Sequence, residues 1–169
     1  EMVFENLEVD FSCILGAVGQ GWVQASNNLM WERMMLTLLS IGGARACYQD
    51  ALRYSEERSA FGRRIGEFGT IANMLEEMRA KLLLGEAIAH HCIELIEANK
   101  PCRAEVAAAK RQVCEDCIWI ADRAIQIHGG YGYTTEFSAE RWWRDLRLMT
   151  IGGGTSEIMG NVLVKELGL

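Results

Sequence analysis

Proline is almost absent from this chain of 169 residues, which contains one, Pro101. Average proteins contain about 5% proline, and proline breaks helix interiors, so its scarcity favours long uninterrupted helices. No apolar run reaches the roughly 20 residues that cross a bilayer, and no secretory signal opens the sequence. We therefore expect neither a membrane protein nor a secreted one.

An excess of positive charge is also lacking. The chain has 17 Lys and Arg residues against 23 Asp and Glu residues, for a net charge of −6. This balance argues against general binding of nucleic acid or anionic membranes, although a local basic cluster can still bind an anionic ligand. Half of the residues are hydrophobic and 24% are charged, which excludes a disordered chain and suits one domain or one piece of a larger protein.

The cysteines lack the spacing of a disulfide framework. They are scattered through segments with helical periodicity: Cys13, Cys47, Cys92, Cys102, Cys114 and Cys117. The pair Cys114 and Cys117 could indicate zinc or a redox pair, but a structural zinc site needs four ligands and no second pair follows. We expect buried, reduced thiols, no metal, and a reducing compartment: the cytoplasm, or the mitochondrial matrix in a eukaryote.

Apolar residues recur with helical spacing through most of the chain. The first proline-free stretch, residues 22–58, predicts a helix of about 50 Å at 1.5 Å per residue, interrupted by Gly42 and Gly43. Such a glycine pair marks the close approach of a neighbouring helix or of a ligand, and packing is the favoured explanation.

Four further helices are predicted. The second follows the Phe61-Gly62 turn, the third follows Pro101 and ends at His128, and shorter ones cover residues 138–148 and 155–167. Two apolar stripes support the long ones: Ile71, Met74, Leu75, Met78 and Leu82, then Val106, Val113, Cys117, Ile120, Ala124 and His128. Long antiparallel helices with short turns predict an all-α fold, an up-down four-helix bundle with an extra short C-terminal helix.

The first ten residues differ from the rest. Residues 2–10 alternate like a strand and are followed by Gly16, Gly19 and Gly21. Because a single strand cannot satisfy its own backbone groups, we expect an orphan β-strand whose sheet is missing. The predicted organisation is a closing strand and linker from a missing β domain at residues 1–21, and a helical bundle at residues 22–169.

Three glycine-containing breaks could carry chemistry. At Arg58-Ser-Ala-Phe61-Gly62, an arginine that caps a helix end is favoured over one that binds a pyrophosphate. The segment from Gln126 through His128 to Tyr133, with glycines at 129, 130 and 132, suits close approach of a ligand or an ordinary loop equally well. We expect His128 to be a packed residue that ends the helix.

The third break is the triple glycine at residues 152–154, followed by Thr155, Ser156 and Glu157. A hydroxyl that caps the last helix is favoured over an anion site. Arg141, Arg144 and Arg147 lie at i, i+3 and i+6, where a solvated or ion-paired face is favoured over a patch for an anionic ligand or subunit.

In this order and spacing, these motifs resemble the carboxyl-terminal helical domain of the acyl-CoA dehydrogenase family. The resemblance begins at Gly19-Gln-Gly-Trp22, includes Glu32-Arg33 and the three breaks, and ends with Arg144-Asp145 and Gly154-Thr-Ser-Glu157. It implies α,β-desaturation of an acyl-CoA by a flavoprotein that contains FAD between subunits. It further implies a homo-oligomer, a tetramer or a dimer, that passes electrons to an electron-transferring flavoprotein.

The same resemblance implies roles for individual residues. Arg58 and Phe61 match the segment that meets the FAD pyrophosphate, whereas Gln126, Gly129 and Gly130 match the segment on the adenosine side. Thr155 and Glu157 match further cofactor contacts. Arg33 and Gly154 match substrate-binding positions, and Arg33 matches an arginine that contacts CoA.

The catalytic base departs from the commonest family pattern. Most members carry a glutamate just before the Gly-Thr of the last helix, where this chain has Gly153. A minority, resembling isovaleryl- and long-chain acyl-CoA dehydrogenases, place it on the first long helix, and the matching residue here is Glu32. We therefore predict Glu32 as the base. Met30 and Gly69 also replace an aspartate and a glutamine that are usual in the family.

Two alternatives remain open. An acyl-CoA oxidase would share the fold and pass electrons to oxygen. A non-catalytic helical module would keep the fold for assembly, and Gly69 and Gly153 are the features that support it. The dehydrogenase resemblance also implies that this stretch alone is inactive, because the domains that complete the flavin and substrate sites are missing.

Overall fold

Five α-helices account for most of the chain in a computed structural model that describes residues 1–169, except the side chain of Asn27. The helices are α1 (Gly21–Glu57), α2 (Gly69–Glu97), α3 (Arg103–His128), α4 (Ala139–Met149) and α5 (Ser156–Glu166). The predicted all-α fold is confirmed, and each predicted helix lies within one to a few residues of its expected place. The scarcity of proline and the apolar periodicity explain this agreement.

The core forms around α3, which contacts α1, α2, α4 and α5. Every residue of its predicted apolar stripe is buried. The stripe on α2 is buried at Met78 and Leu82 and half-buried at the three positions before them. The other four helices therefore pack around α3, whose apolar stripe faces the core while its polar face stays exposed.

Helix α1 runs without a break through Gly42 and Gly43, so the predicted interruption is wrong. The packing explanation of the pair is confirmed at Gly43, which is buried: a Cβ there would lie 3.1 Å from Trp142 Cε3. A Cβ at Gly42 would meet nothing within 4 Å. One glycine of the pair thus allows α4 to approach α1 closely.

The strand predicted at residues 2–10 does not form. Residues 1–10 have no regular secondary structure and are exposed, and a short 3-10 helix follows at Phe11–Cys13. A strand requires a neighbour for its backbone hydrogen bonds, and no such neighbour occurs among the described residues.

A small hairpin between α1 and α2 was not predicted. Strand β1 (Ser59–Ala60) pairs antiparallel with β2 (Arg63–Arg64). The turn residues Phe61 and Gly62 have φ values of +52° and +82°. Positive φ at both central residues is the geometry of a type I′ hairpin turn. The expected Phe61-Gly62 turn is therefore present, as the two-residue loop of this hairpin.

The arginine face of α4 follows the ion-paired interpretation. Arg144 forms an ion pair with Glu140 at 3.2 Å, and Arg147 donates to the Thr150 hydroxyl. All three arginines are exposed. A surface ion pair such as Arg144–Glu140 contributes little stability, typically below about 1 kcal/mol.

Candidate active-site cleft and cofactor groove

A wide cleft lies between the start of α1 and α5, and we name it the α1–α5 cleft. Its volume is about 1240 Å³, and Glu32, Arg33, Gly153 and Gly154 all contribute to its walls. Glu32 is the acidic residue among the described residues that line it. The structure thus brings the adjacent residues Glu32 and Arg33 together with Gly154, more than a hundred positions later in the sequence. The Glu32 side chain is exposed.

Gly152, Gly153 and Gly154 form the segment before α5, which we name the glycine loop. Gly153 and Gly154 have φ values of +65° and +103°, in the region that L side chains rarely adopt. A Cβ at Gly153 would lie 2.7 Å from Leu36 Cδ1, so the loop packs tightly on α1. A glutamate at position 153 would therefore be strained in this backbone, which agrees with a carboxylate supplied from α1 instead.

Two cationic side chains, one from α1 and one from α3, hold the glycine loop. Arg33 Nε donates to the Gly153 carbonyl oxygen at 3.0 Å, and Lys110 Nζ donates to the Gly154 carbonyl oxygen at 2.5 Å. Burial lowers the pKa of Arg33, with a further contribution from the nearby Arg103 charge. Burial also lowers the pKa of Lys110, which is completely inaccessible to solvent.

Lys110 is a residue that the sequence analysis missed. It lies on the buried stripe of α3, four residues after Val106 and three before Val113. A lysine in an apolar register is the signal that could have identified it, because a buried ammonium group needs a polar partner. The identity of that partner was not readable from sequence, since Gly154 follows it by 44 residues.

A second groove, of about 480 Å³, lies where the end of α1 meets the end of α3. We name it the α1–α3 groove. Arg58, Gly129 and Gly130 line it together, as expected for residues that share one ligand. A Cβ at Gly129 or Gly130 would meet nothing within 4 Å, so the backbone there is open to an approaching group.

An aromatic cluster forms the inner wall of this groove. The His128 ring stacks on Tyr54 with centroids 4.4 Å apart, and Phe137 packs at 5.0 Å from His128. His128 Nδ1 lies 2.7 Å from the Ala124 carbonyl oxygen, so in the neutral ring the proton sits on Nδ1 and is donated to that oxygen. The prediction that His128 is a packed residue ending its helix is confirmed, since it is buried at the last position of α3.

The α1–α3 groove fits part of a dinucleotide cofactor by its donor chemistry. Arg58 is the residue after α1, its backbone N–H donates to the Tyr54 carbonyl oxygen, and its side chain is exposed. A guanidinium can give paired hydrogen bonds to a pyrophosphate, and bare glycine backbone can accept a flat base or ribose at close range. The capping role and the ligand role of Arg58 are therefore compatible.

Four other predicted cofactor residues lie outside the lining of both sites. They are Phe61, Gln126, Thr155 and Glu157. Phe61 is 96% exposed at the hairpin tip, and Gln126 is also exposed. Thr155 caps α5 by accepting a hydrogen bond from the Ile158 N–H at 3.3 Å. The hydrogen bond from Thr155 lowers the pKa of the exposed Glu157 carboxyl.

Met30 and Gly69, which replace residues that are usual in the family, lie in different parts of the fold. Met30 lines the α1–α5 cleft, and Gly69 is the exposed first residue of α2, with nothing within 4 Å of an added Cβ. Neither position holds a polar side chain that could replace the usual aspartate or glutamine.

The cysteines behave as packed thiols. All six are free, and all except Cys13 are buried. Burial raises the pKa of Cys47 to about 12 and also raises that of Cys117. Among the described residues, no group of three or more His, Cys, Asp or Glu side chains is placed to hold a metal ion.

None of the described helices combines the length and apolar character needed to cross a membrane.

Comparison with known proteins gives consistent matches along the whole chain. The family model of the acyl-CoA dehydrogenase C-terminal domain matches residues 19–168. Subunit CarC of the caffeyl-CoA reductase-Etf complex of Acetobacterium woodii is 35% identical over 96% of this chain and 43% of that protein. The mitochondrial short/branched chain specific acyl-CoA dehydrogenase of Bos taurus is 32% identical over 97% of this chain and 38% of that protein.

A solved structure agrees with these matches. The butyryl-CoA dehydrogenase of Megasphaera elsdenii superposes with a TM-score of 0.96 at 29% identity, covering 99% of this chain and 44% of that one. The chain therefore spans less than half the length of the relatives that it matches.

Proposed function

Because this chain belongs to the acyl-CoA dehydrogenase family through its C-terminal domain, we propose that the protein containing it is a flavoprotein that oxidises an acyl-CoA thioester. The product would be the α,β-unsaturated thioester. The rest of the protein, with a β domain preceding the bundle, would complete both the substrate site and the cofactor site. This chain would contribute the catalytic base and part of the cofactor groove.

The shared position of Glu32 and the glycine loop in one cleft supports the proposal most directly. Gly153 stands where most family members carry the base, and it lines the same cleft as Glu32. The Glu32 carboxylate would therefore act in the same cleft from a position on α1. The Glu32 side chain is exposed in this chain. In the proposed enzyme, the substrate and other parts of the protein would cover it.

Glu32 would remove a proton from the α carbon beside the thioester carbonyl. A glutamate carboxylate in water is a weak base, and enclosure by an acyl chain would desolvate it and strengthen it for this transfer. Arg33 would keep the neighbouring loop in place through its bond to the Gly153 carbonyl and supply positive charge for the CoA portion. Arg103, on the same cleft, would add to that charge.

FAD would be held in part by Arg58, Gly129 and Gly130 in the α1–α3 groove, with Phe61, Gln126, Thr155 and Glu157 contacting portions that extend beyond it. When bound, FAD supplies the acceptor for the β hydrogen as hydride. The separation of these residues between the α1–α3 groove and the start of α5 supports a cofactor shared between subunits, and so a homo-oligomer. An electron-transferring flavoprotein would reoxidise the enzyme, and the relative named above that forms an Etf complex supports this partner.

The test uses the full-length protein. Mixing it with short, branched, long and aromatic acyl-CoAs should bleach the visible flavin absorbance with at least one of them. Glu32→Gln should reduce this bleaching by at least a thousandfold while bound FAD is unchanged, because the amide cannot accept the α proton. Glu77→Gln, an exposed acid on α2, is the matched control and should bleach normally.

Three results would redirect the proposal. Near-normal bleaching by Glu32→Gln would refute the assignment of the base. Oxygen consumption during turnover would favour an acyl-CoA oxidase. A colourless protein that rejects added FAD would favour the non-catalytic module.

A further inference from the structure

Lys110 is a charged side chain in the interior of the bundle. It is 0% exposed, on a helix that packs against four others. Its hydrogen-bond partner among the described residues is the carbonyl oxygen of Gly154, and the carboxylates of Glu115 and Glu157 act on it without forming an ion pair there. Burying an ammonium group is expensive, so an apolar side chain would serve packing better. A role beyond packing is required to explain it.

The partner of Lys110 indicates that role. Gly154 lies in the glycine loop, whose backbone occupies the left-handed region at two successive residues. Arg33 on α1 holds the carbonyl of Gly153, and Lys110 on α3 holds the next carbonyl. Charge-assisted hydrogen bonds to adjacent carbonyls, from two helices, fix both the position and the rotation of a loop that has no side chains of its own.

The glycine loop also lies where a shift of its backbone would affect the chemistry proposed for the cleft. Gly153 and Gly154 line the α1–α5 cleft together with Glu32, and the loop leads directly into Thr155, the cap of α5. A shift of the loop would change the distance across the cleft and displace the start of α5. A misplacement of about 1 Å at a reacting site can cost on the order of a hundredfold in rate.

We propose that Lys110 is a positioning residue, which with Arg33 fixes the glycine loop in the wall of the α1–α5 cleft that Glu32 also lines. This inference rests on the proposed function of the cleft. Lys110 would touch neither the substrate nor the cofactor. It would act through the Gly154 carbonyl, so its removal would slow proton abstraction without removing the base.

The experiment compares Lys110→Met with wild type in the full-length protein loaded with FAD. We expect kcat per bound FAD to fall at least tenfold, because methionine fills the space and cannot donate to Gly154. Lys110→Arg, which keeps N–H donors, should recover part of the loss. Lys81→Met is the matched control: Lys81 pairs with Asp116 at 2.6 Å between α2 and α3, outside the cleft, so this change should lower Tm and leave kcat per bound FAD unchanged.

Hydrogen exchange of backbone amides supplies a readout that does not depend on activity. In Lys110→Met, amides of residues 152–158 should exchange at least tenfold faster, while those in the middle of α3 stay as protected as in wild type. If Lys110→Met gives no folded protein, Lys110→Gln, whose amide is too short to reach the loop, is measured in the same two ways.

The outcomes separate this inference from the proposed function. Wild-type kcat and KM per bound FAD in Lys110→Met, whatever its Tm, would overturn the positioning role, and so would unchanged exchange at residues 152–158. A wild-type protein that no acyl-CoA bleaches would overturn the proposed function. In that case faster exchange of the glycine loop would still establish that Lys110 holds it.

Discussion

Gly43 of α1 lies against the indole of Trp142 of α4, so that a Cβ at position 43 would stand 3.1 Å from Trp142 Cε3 and 3.2 Å from Leu146 Cδ2. The contact explains why a residue that weakens helices occupies the middle of the longest helix in the chain. Glycine at position 43 destabilises α1 by about 1 kcal/mol relative to alanine, and it allows α4 to approach closely.

Alanine substitution at the two adjacent glycines should have opposite effects. Gly43→Ala should lower the free energy of unfolding by about 1–3 kcal/mol, because the new methyl group overpacks against Trp142 and Leu146. Gly42→Ala, where the space is open, should raise it by up to about 1 kcal/mol. Urea denaturation of both variants measures the difference, and equal effects at the two positions would contradict the packing explanation.

Arg58 should contribute to cofactor affinity in the full-length protein. Arg58→Met should weaken FAD binding by about ten- to a hundredfold, the range expected for loss of charge-assisted hydrogen bonds to a phosphate group. Arg53→Met is the control, since Arg53 is equally exposed and pairs with Asp50 at 2.6 Å away from the α1–α3 groove. Titration of the apoprotein with FAD measures both constants, and equal losses would argue against a specific pyrophosphate contact.

The buried thiols should make the protein labile in alkali. Burial raises the pKa of Cys47 from its usual 9.0 to about 12. The unfolded thiol therefore loses its proton first, and the stability that Cys47 contributes as a neutral group is complete below pH 9 and is lost as the pH rises toward 12. The free energy of unfolding should fall in this window by about 1.4 kcal/mol per pH unit for each such thiol.

Cysteine variants test this pH dependence. Cys47→Ala should show a shallower decrease in unfolding free energy between pH 9 and pH 11 than wild type, measured by urea denaturation at fixed steps of pH. Cys13→Ala, at an exposed cysteine, should leave the slope unchanged. Identical slopes in all three proteins would show that ionisation of Cys47 is not coupled to unfolding.

Features that depend on nearby residues could be predicted from the sequence, whereas features that depend on contacts between distant residues could not. The buried register of α3 from Val106 to His128 was predicted because helical periodicity is a local property. The hydrogen bond from Lys110 to Gly154 was not predicted, although Lys110 lies in that same buried register. The strand expected before Gly16 is absent because a strand needs a pairing partner, and the described residues offer none. The hairpin at residues 59–64 was not predicted because it depends on positive φ at Phe61, and phenylalanine is not a usual turn residue.

Local patterns in the sequence were enough to predict the helices, their apolar faces and the packed position of His128, and they contain the motifs that carry the family resemblance. These features follow from periodicity, capping and the scarcity of proline, which act over a few neighbouring residues. Three pairings became visible only in the folded chain: Glu32 with Gly153 in one cleft, Arg58 with Gly129 in one groove, and Lys110 bonded to Gly154. These pairs are dozens of residues apart or more, and their proximity results from how α1, α3 and the loop before α5 pack together, which no local pattern specifies.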